Sequence, residues 1–428
     1  MKVWLQICLP LLFISSCYKE IVPIPITSSG MRQSSDVDDT WKLEQNRWTY
    51  SQMKSMYFWE HDIPDSASLD FSSDPFAFFD ALLSDEDRFS YMDMNQRYKK
   101  PALMLEGMDY QPYVDASGKT VFRVMRVVDS SQHKQWRRGD WFICKSGRPV
   151  RGMMTEQGVF EEDSVMRPSR IFTNAFSDTL YNVGGKAVGY ILYDDFNMYA
   201  DFIESFHSLR DKGGVDELIL DLRYNPGGYV DVCRKICSQI MPAQGLGKLF
   251  QLHRYNEYQT HLKAQSQGGG SGLDSLYFAD DFRTRQVNLN LPRLYVLTTR
   301  HTASASEALI HCLRPYMDVI TVGTTSRGKN VGGQAISDDK YRYALHPITF
   351  QYTDAEGVVF SSEGIQPDIY AEDDLNHELG DVDEAMLSAA LSHISGESPR
   401  GVKMTGRKRC TGYPVESGKS SIEIKNNL

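Results

Sequence analysis

Ser304 and Lys329 stand 25 residues apart and carry the residue types for one chemistry, a serine hydroxyl activated by an amine base. Ser304 lies in a small, hydroxyl-rich turn, His301-Thr-Ala-Ser-Ala-Ser-Glu307. A strand-like run, Arg293 to Thr298, precedes that turn, and a helical pattern over about 303–313 follows it. A second β-branched run, Asp318 to Gly323, leads into Gly328-Lys329. Two parallel strands would bring both turns to one edge of a sheet. At a helix N-terminus the backbone N–H groups point outward, so the Ala305 amide is placed to hold an oxyanion formed on an attacked carbonyl. A second donor is available in Asn225-Pro-Gly-Gly228, another strand-to-helix turn, whose Gly227 and Gly228 let backbone approach a ligand closely. To act as base, Lys329 must be neutral near pH 7, which requires burial or the lack of a counter-charge.

Taken one at a time, these residues have plainer readings. Serines at helix N-caps are common, so Ser304 or Ser306 alone would be a cap, and a Gly-Lys turn alone a solvated turn. His311 sits seven residues after Ser304 on the same helix and cannot easily swing back to the hydroxyl, which makes it a core or surface histidine. Glu307 reads as a structural acid in the first helical turn, favoured there by the helix dipole.

The elements that must position this pair alternate strand and helix from about residue 186, the pattern of an α/β layer. Ala187 to Tyr193 and Glu217 to Leu222 read as strands, and Met198 to Arg210 and Val230 to Met241 as helices. The segment from about 244 to 290 is polar, with five small residues, Gly268-Gly-Gly-Ser-Gly272, near its middle; it reads as an irregular surface excursion. A β-rich stretch runs from Tyr341 to Phe360, and Asp381 to Ser395 closes as a helix. Upstream, residues 41–99 carry Trp41, Trp48, Met53, Met56, Trp59, Phe76, Phe79 and Leu82 at helical spacing, a small helical region with a core stripe and no assigned chemistry. It leaves through a charged exit, Asp85 to Tyr91. Residues 100–165 change to short β-like runs such as Thr120 to Val128 and Asp140 to Lys145. The Gly139-Asp140 before an apolar strand resembles the late strands of a PDZ domain, with Ser130 to Arg138 in the place of its helix. Such a module binds an extended peptide end by adding it as a strand.

The chain has 428 residues, 41% of them hydrophobic and 24% charged, ordinary values for a globular protein of two or three domains. A net charge of −10 with no large basic stripe excludes nucleic acid as the expected partner. At the N-terminus, Lys2 precedes an apolar run, Val3 to Ile14, too short for a comfortable membrane span. It ends in Ile14-Ser-Ser-Cys17, which resembles the lipobox of bacterial lipoprotein signals; the resemblance implies cleavage at residues 1–17 with Cys17 lipidated, the alternative being an ordinary cleaved signal. Residues 18–40 are polar and aperiodic, a tether off a membrane surface. Of the five cysteines remaining, Cys233 and Cys237 sit one helical turn apart, poor disulfide geometry, and read as small buried residues. Residues 397–428 read as a loose tail.

Three motifs occur in order: Leu220-Asp-Leu-Arg-Tyr-Asn-Pro-Gly-Gly228, Thr302-Ala-Ser-Ala-Ser-Glu307 and Gly323-Thr-Thr-Ser-Arg-Gly-Lys329. Together they resemble the core of the C-terminal-processing (tail-specific, tricorn-core) serine peptidases. Gly364-Ile-Gln-Pro-Asp-Ile369 and the early Asp87-Arg-Phe-Ser90 are similar to segments of the same family. The resemblance implies an α/β fold with a crotonase/ClpP-like peptidase core over 180–396, a PDZ-like β-rich module and a small N-terminal helical region. It implies Ser304 as nucleophile, Lys329 as general base, oxyanion amides from Ala305 and Gly227 or Gly228, an acyl-enzyme, a polypeptide substrate and no metal or organic cofactor. Many members carry a glutamine four residues after the lysine that orients it; that position is Gly333 here, and Gln334 stands one residue later. Two other classes stay open, a catalytically inactive binding lipoprotein of the same fold and an assembly scaffold.

Overall fold

Four apolar runs, Lys186–Leu192, Glu217–Asp221, Arg293–Thr298 and Asp318–Gly323, form the parallel centre of a six-stranded sheet in the computed structural model. Ile369–Tyr370 adds parallel at one edge, and Asp178–Val183 antiparallel at the other. The structure describes residues 40–95, 108–127, 136–145, 148–162, 178–197, 199–396 and 413–414. Cys17, the tether apart from Thr40 and nearly all of the tail therefore lie outside the described residues. These strands are almost uninterruptedly apolar because both faces of the sheet are covered. Alternate residues serve opposite faces. Leu218, Leu220, Leu294 and Val296 pack with Cys233, Ile236, Leu309 and Leu313 on one side. Ile219, Tyr295, Leu297 and Val322 pack with Met386, Leu387 and Ala390 on the other. Each such fully buried side chain contributes roughly 2 kcal/mol by burial. Cys233, Cys237 and Cys312 are free and belong to this core, as the spacing of the first two predicts.

The register sets up the functional edge. Leu297 pairs with Asp221 and Thr298 with Gly323, so the turns after three strands leave the sheet side by side at its carboxyl edge, where open α/β sheets bind ligands. Beneath them lies a buried ionic cluster. Arg223 is wholly buried and its guanidinium bonds Asp221 at 2.9 Å, Asp373 at 2.8 Å and Glu384 at 2.9 Å. Burial opposes ionisation of Asp373, but Arg223 and Arg138 hold its carboxyl down at about 2. Glu384 also caps the helix Ala385–Ser395 through the Leu387 amide, tying that helix to the same cluster.

The segment after residue 243, expected to be irregular, is ordered. Leu249–Tyr255 and Asp274–Tyr277 form strands, with the helix Glu257–Ser266 between them. They join Ile348–Thr353 and Val331–Gly333 in a four-stranded sheet. The reason is burial: Phe250 and Phe278 enter the main core, and Gln251, His253 and Asn256 are buried beside them in the strand and its turn. The N-terminal region is also less of a bundle than the aromatic spacing suggests. It has one long helix, Thr40–Met56, a short one, Pro75–Asp80, and 3-10 turns between them. Met53, Phe79 and Leu82 pack against Val331, Leu345 and Ile348, whereas Phe76 is 43% exposed. This region is thus built onto the strands that follow Lys329.

Residues 108–162 form an antiparallel β module of five strands, and Tyr413–Pro414 of the tail pairs with its first strand, Met108–Val114. Most of the expected helix at Ser130 to Arg138 falls outside the described residues. Arginines attach the module to the core: Arg126 to Asp194, Arg123 to Asn376, and Arg138 to Tyr224 and to the carbonyl of His377.

Replacing Arg223 with Met would leave the buried carboxylates of Asp221 and Glu384 without their shared counter-charge. We expect a loss of about 3–5 kcal/mol in denaturant unfolding; a variant as stable as the parent would refute the structural role of the cluster.

Candidate active site

The turn after Thr298 is shaped by its own hydroxyls and by Asn225. The Thr302 Oγ1 hydroxyl donates to the Leu222 carbonyl at 2.8 Å and that of Thr299 donates to the Arg223 carbonyl. The Asn225 carbonyl accepts from the Ala303 amide at 3.1 Å and the Ser306 hydroxyl at 3.0 Å. Ser306, fully buried, is therefore committed to holding the turn, which separates it from Ser304. Ser304 is half-buried at the N-cap of the helix Ala305–Leu313, with φ 56° and ψ −115°. A non-glycine residue in that region carries strain of order 1–3 kcal/mol, the kind of local cost that clusters at reactive turns. His311, two turns further along, has Nε2 2.8 Å from the Val358 carbonyl and 3.5 Å from Asp354, and so is engaged away from Ser304.

Glu307 joins the two turns. Its carboxylate is fully buried and accepts four hydrogen bonds, two on each oxygen. Oε2 takes the Ser304 amide at 2.9 Å and the Lys329 amide at 2.8 Å. Oε1 takes the Ser326 hydroxyl at 2.5 Å and the Gly328 amide at 2.6 Å. Burial pushes its carboxyl above the ordinary value, and these four donors pull the other way. The first-turn acid expected to be structural is thus the bridge that brings Ser304 and Lys329 together. The remaining motifs brace the lysine turn. Ser326 exchanges bonds with Ile365, its amide to the carbonyl at 3.1 Å and its hydroxyl from the amide at 2.8 Å. Asp368 accepts from the Thr321 amide and hydroxyl, both at 2.8 Å. Gly328 has φ +84°, and a Cβ there would sit 1.9 Å from the Ser362 carbonyl, so only glycine fits.

Lys329 is 5% exposed, and its Nζ lies 5.6 Å from the centre of the Phe89 ring. Phe89 comes from the Asp87-Arg-Phe-Ser90 segment, which sequence reasoning took for a charged exit. Asp87 is buried instead. Its carboxylate accepts from the Phe89 and Ser90 amides at 2.8 Å each and from the Tyr57 hydroxyl at 2.8 Å, while Ser90 accepts from the Ile348 amide at 2.8 Å.

The proposed oxyanion donors divide. Gly227 has φ +105°, and a Cβ there would lie 2.8 Å from both the Ala305 nitrogen and the Ser304 Cβ. Its own amide, however, donates to Asn225 Oδ1 at 2.9 Å. Gly227 therefore makes room for Ser304, and it is not a free donor. The Gly228 and Ala305 amides donate to no acceptor among the described residues, unlike that of Gly227. Gln334 does not take the orienting place expected of it. It is exposed and hydrogen-bonds to none of the described residues. The strand Val331–Gly333 ends before it, with a register shift between Gly332 and Gly333, and both Gly333 and Gln334 are exposed. Glu307, Asn225, Ser326 and Phe89 were missed as site residues; the sequence signal was the place of the first three inside the ordered motifs and of Phe89 inside Asp87-Arg-Phe-Ser90.

Glu307→Gln presents an NH2 to two donors in either amide orientation. The variant should lose about 3 kcal/mol in denaturant unfolding from unmatched buried donors, and an unchanged midpoint would show that the carboxylate is not the bridge described.

Profile comparison matches residues 187–371 to Peptidase family S41 and residues 44–91 to the Peptidase S41 N-terminal domain, together more than half of the chain. The carboxy-terminal processing protease CtpB of Bacillus subtilis is 28% identical over 156 residues, 36% of this chain and 28% of that protein. A carboxyl-terminal-processing protease of Picosynechococcus is 27% identical over 188 residues, 41% of this chain and 40% of that protein. The chain thus spans less than half the length of either curated relative. A Bacteroides fragilis structure assigned to the S41 proteases superposes with a TM-score of 0.66 at 25% identity, covering 86% of this chain and 99% of that one. The two profiles match in the order in which the N-terminal turn and the core meet at the site, and the chain belongs to peptidase family S41.

Proposed function

We propose that this chain is a serine endopeptidase that cleaves unfolded or C-terminal polypeptide segments with a Ser304–Lys329 dyad. The observation that carries the reading is the Glu307 carboxylate, which takes the amides of Ser304 and Lys329 on one oxygen and so holds nucleophile and base turns together. The Lys329 Nζ lone pair takes the proton of Ser304 Oγ as Oγ bonds to the substrate carbonyl carbon. The oxyanion so formed faces the Gly228 and Ala305 amides, the latter at a helix N-terminus whose dipole also favours negative charge. The Lys329 ammonium then returns its proton to the departing amine nitrogen as the C–N bond breaks, leaving an acyl-enzyme that water hydrolyses. Membership of the S41 family supports the same chemistry, and the first curated relatives are by name carboxy-terminal processing proteases.

The β module over 108–162 fits the PDZ-like role read from the sequence, presentation of an extended peptide to the core. The envelope location rests on Ile14-Ser-Ser-Cys17, which supports lipidation of Cys17 and anchoring to a bacterial membrane. The exposure of Gln334 is the one observation that favours the second reading, an inactive binding lipoprotein of the same fold.

Ser304→Ala and Lys329→Ala should each lower hydrolysis of casein by at least about a thousandfold with the fold retained. Turnover at the parental rate by Ser304→Ala would remove the nucleophile, and an inactive parent that a fluorophosphonate does not label would favour the binding reading. For the anchor, Cys17→Ser should move the expressed protein from the membrane fraction to the soluble one; retention in the membrane would end the lipidation proposal.

A further inference from the structure

Resting on the dyad reading, we propose that Phe89 is the positioning residue of the base: its ring face holds Lys329 Nζ and receives the charge when the lysine becomes an ammonium. The ring centre is 5.6 Å from Nζ, inside the range over which an aromatic face attracts a cation. Lys329 is nearly buried, so the attraction acts in a partly desolvated setting, where it is stronger than on a surface. The ring itself is fixed from behind. Asp87 binds the Phe89 amide, Tyr57 binds Asp87, and Ser90 is bonded to Ile348 of the core. The Arg88 guanidinium donates to the Ser362 carbonyl, the same carbonyl that packs against Gly328. The N-terminal region is thereby bolted to both sides of the lysine turn, with one side chain directed at the base.

The electrostatics distinguish this role from plain packing. Around Lys329 stand Glu307, whose carboxylate binds the lysine amide, and Tyr352, whose hydroxyl reaches the lysine carbonyl at 3.5 Å. Arg88 is 5.2 Å from the centre of the ring that Nζ contacts, and Asp87 lies in the same turn. The ring attracts the ammonium and not the neutral amine. It therefore favours the charged state that Lys329 enters when it takes the serine proton, while fixing where the nitrogen sits. In this chain an aromatic face from the N-terminal region stands at the lysine amine, while Gln334 is exposed.

The test uses the full chain as Phe89→Leu, Phe89→Tyr and Phe89→Trp, with unfolding midpoints to confirm that each is folded. Leucine keeps apolar bulk without a π face, so kcat on labelled casein should fall about tenfold while KM stays within about twofold. The acid limb of the kcat profile should move down by about one pH unit, because loss of the ring weakens the ammonium. Tyrosine and tryptophan should restore both. A kcat fall that moves no limb, or that Tyr and Trp fail to rescue, assigns Phe89 to packing alone and overturns the proposal. Titration of the Lys329 ε-carbon by NMR in the parent and in Phe89→Leu reads the same effect without turnover: a lower midpoint in the variant supports the proposal and equal midpoints sink it. If Ser304→Ala cleaves casein like the parent, the dyad reading fails on its own, whatever the titration shows.

Discussion

A single buried carboxylate joins what the chain keeps apart. Ser304 and Lys329 emerge from neighbouring parallel strands whose register brings their turns side by side, but the ladder does not fasten one turn to the other. Glu307 does so by offering two oxygens to four donors, with one oxygen shared between the amides of Ser304 and Lys329. A carboxylate is suited to this because it only accepts, and because hydrogen bonds to an ionised group are shorter and stronger than neutral ones. Desolvation is costly for it, and four donors are what offsets the cost. The consequence is rigidity at the place where a strained serine must be held, since φ 56° persists only if its surroundings over-determine it.

Beneath that bridge the same economy recurs. Arg223 satisfies Asp221, Asp373 and Glu384 at the base of the Asn-Pro-Gly-Gly turn. Asn225 then connects that turn to the serine turn through its carbonyl, and to Gly227 through its side chain. The glycines have divided duties: Gly227 clears space against Ser304, while Gly228 keeps an amide available. Closely placed backbone, held by side chains that are themselves fully bonded, is how a loop site attains the precision of a core.

The N-terminal region changes meaning in this setting. From the sequence its aromatic stripe reads as the core of a small helical region, and Met53, Phe79 and Leu82 pack on the strands that follow the lysine. A segment nearly 240 residues upstream therefore supplies a wall of the site, with Phe89 at its tip. The separate family profile for residues 44–91 fits this placement, because the region contributes to the site and does not merely precede it.

The α/β pattern, the ordered motifs and the 25-residue interval were legible in the sequence, because buried parallel strands must be apolar and their turns must carry glycine and small hydroxyls. So was the buried character of Cys233 and Cys237, which follows from helical periodicity alone. Other assignments could not be made that way. The order of residues 244–290 depends on Phe250 and Phe278 reaching a core that also draws members from distant parts of the chain, such as Ile191, Tyr352 and Ile365. Whether Gly227 or Gly228 offers its amide depends on which one Asn225 occupies, and the exposure of Gln334 follows from where a short, register-shifted strand ends. Above all, the sequence marks Glu307 only as an acid in a first helical turn. That it bridges two turns is a fact of tertiary structure, since its four donors come from residues up to 22 positions away that meet only when the strands pair.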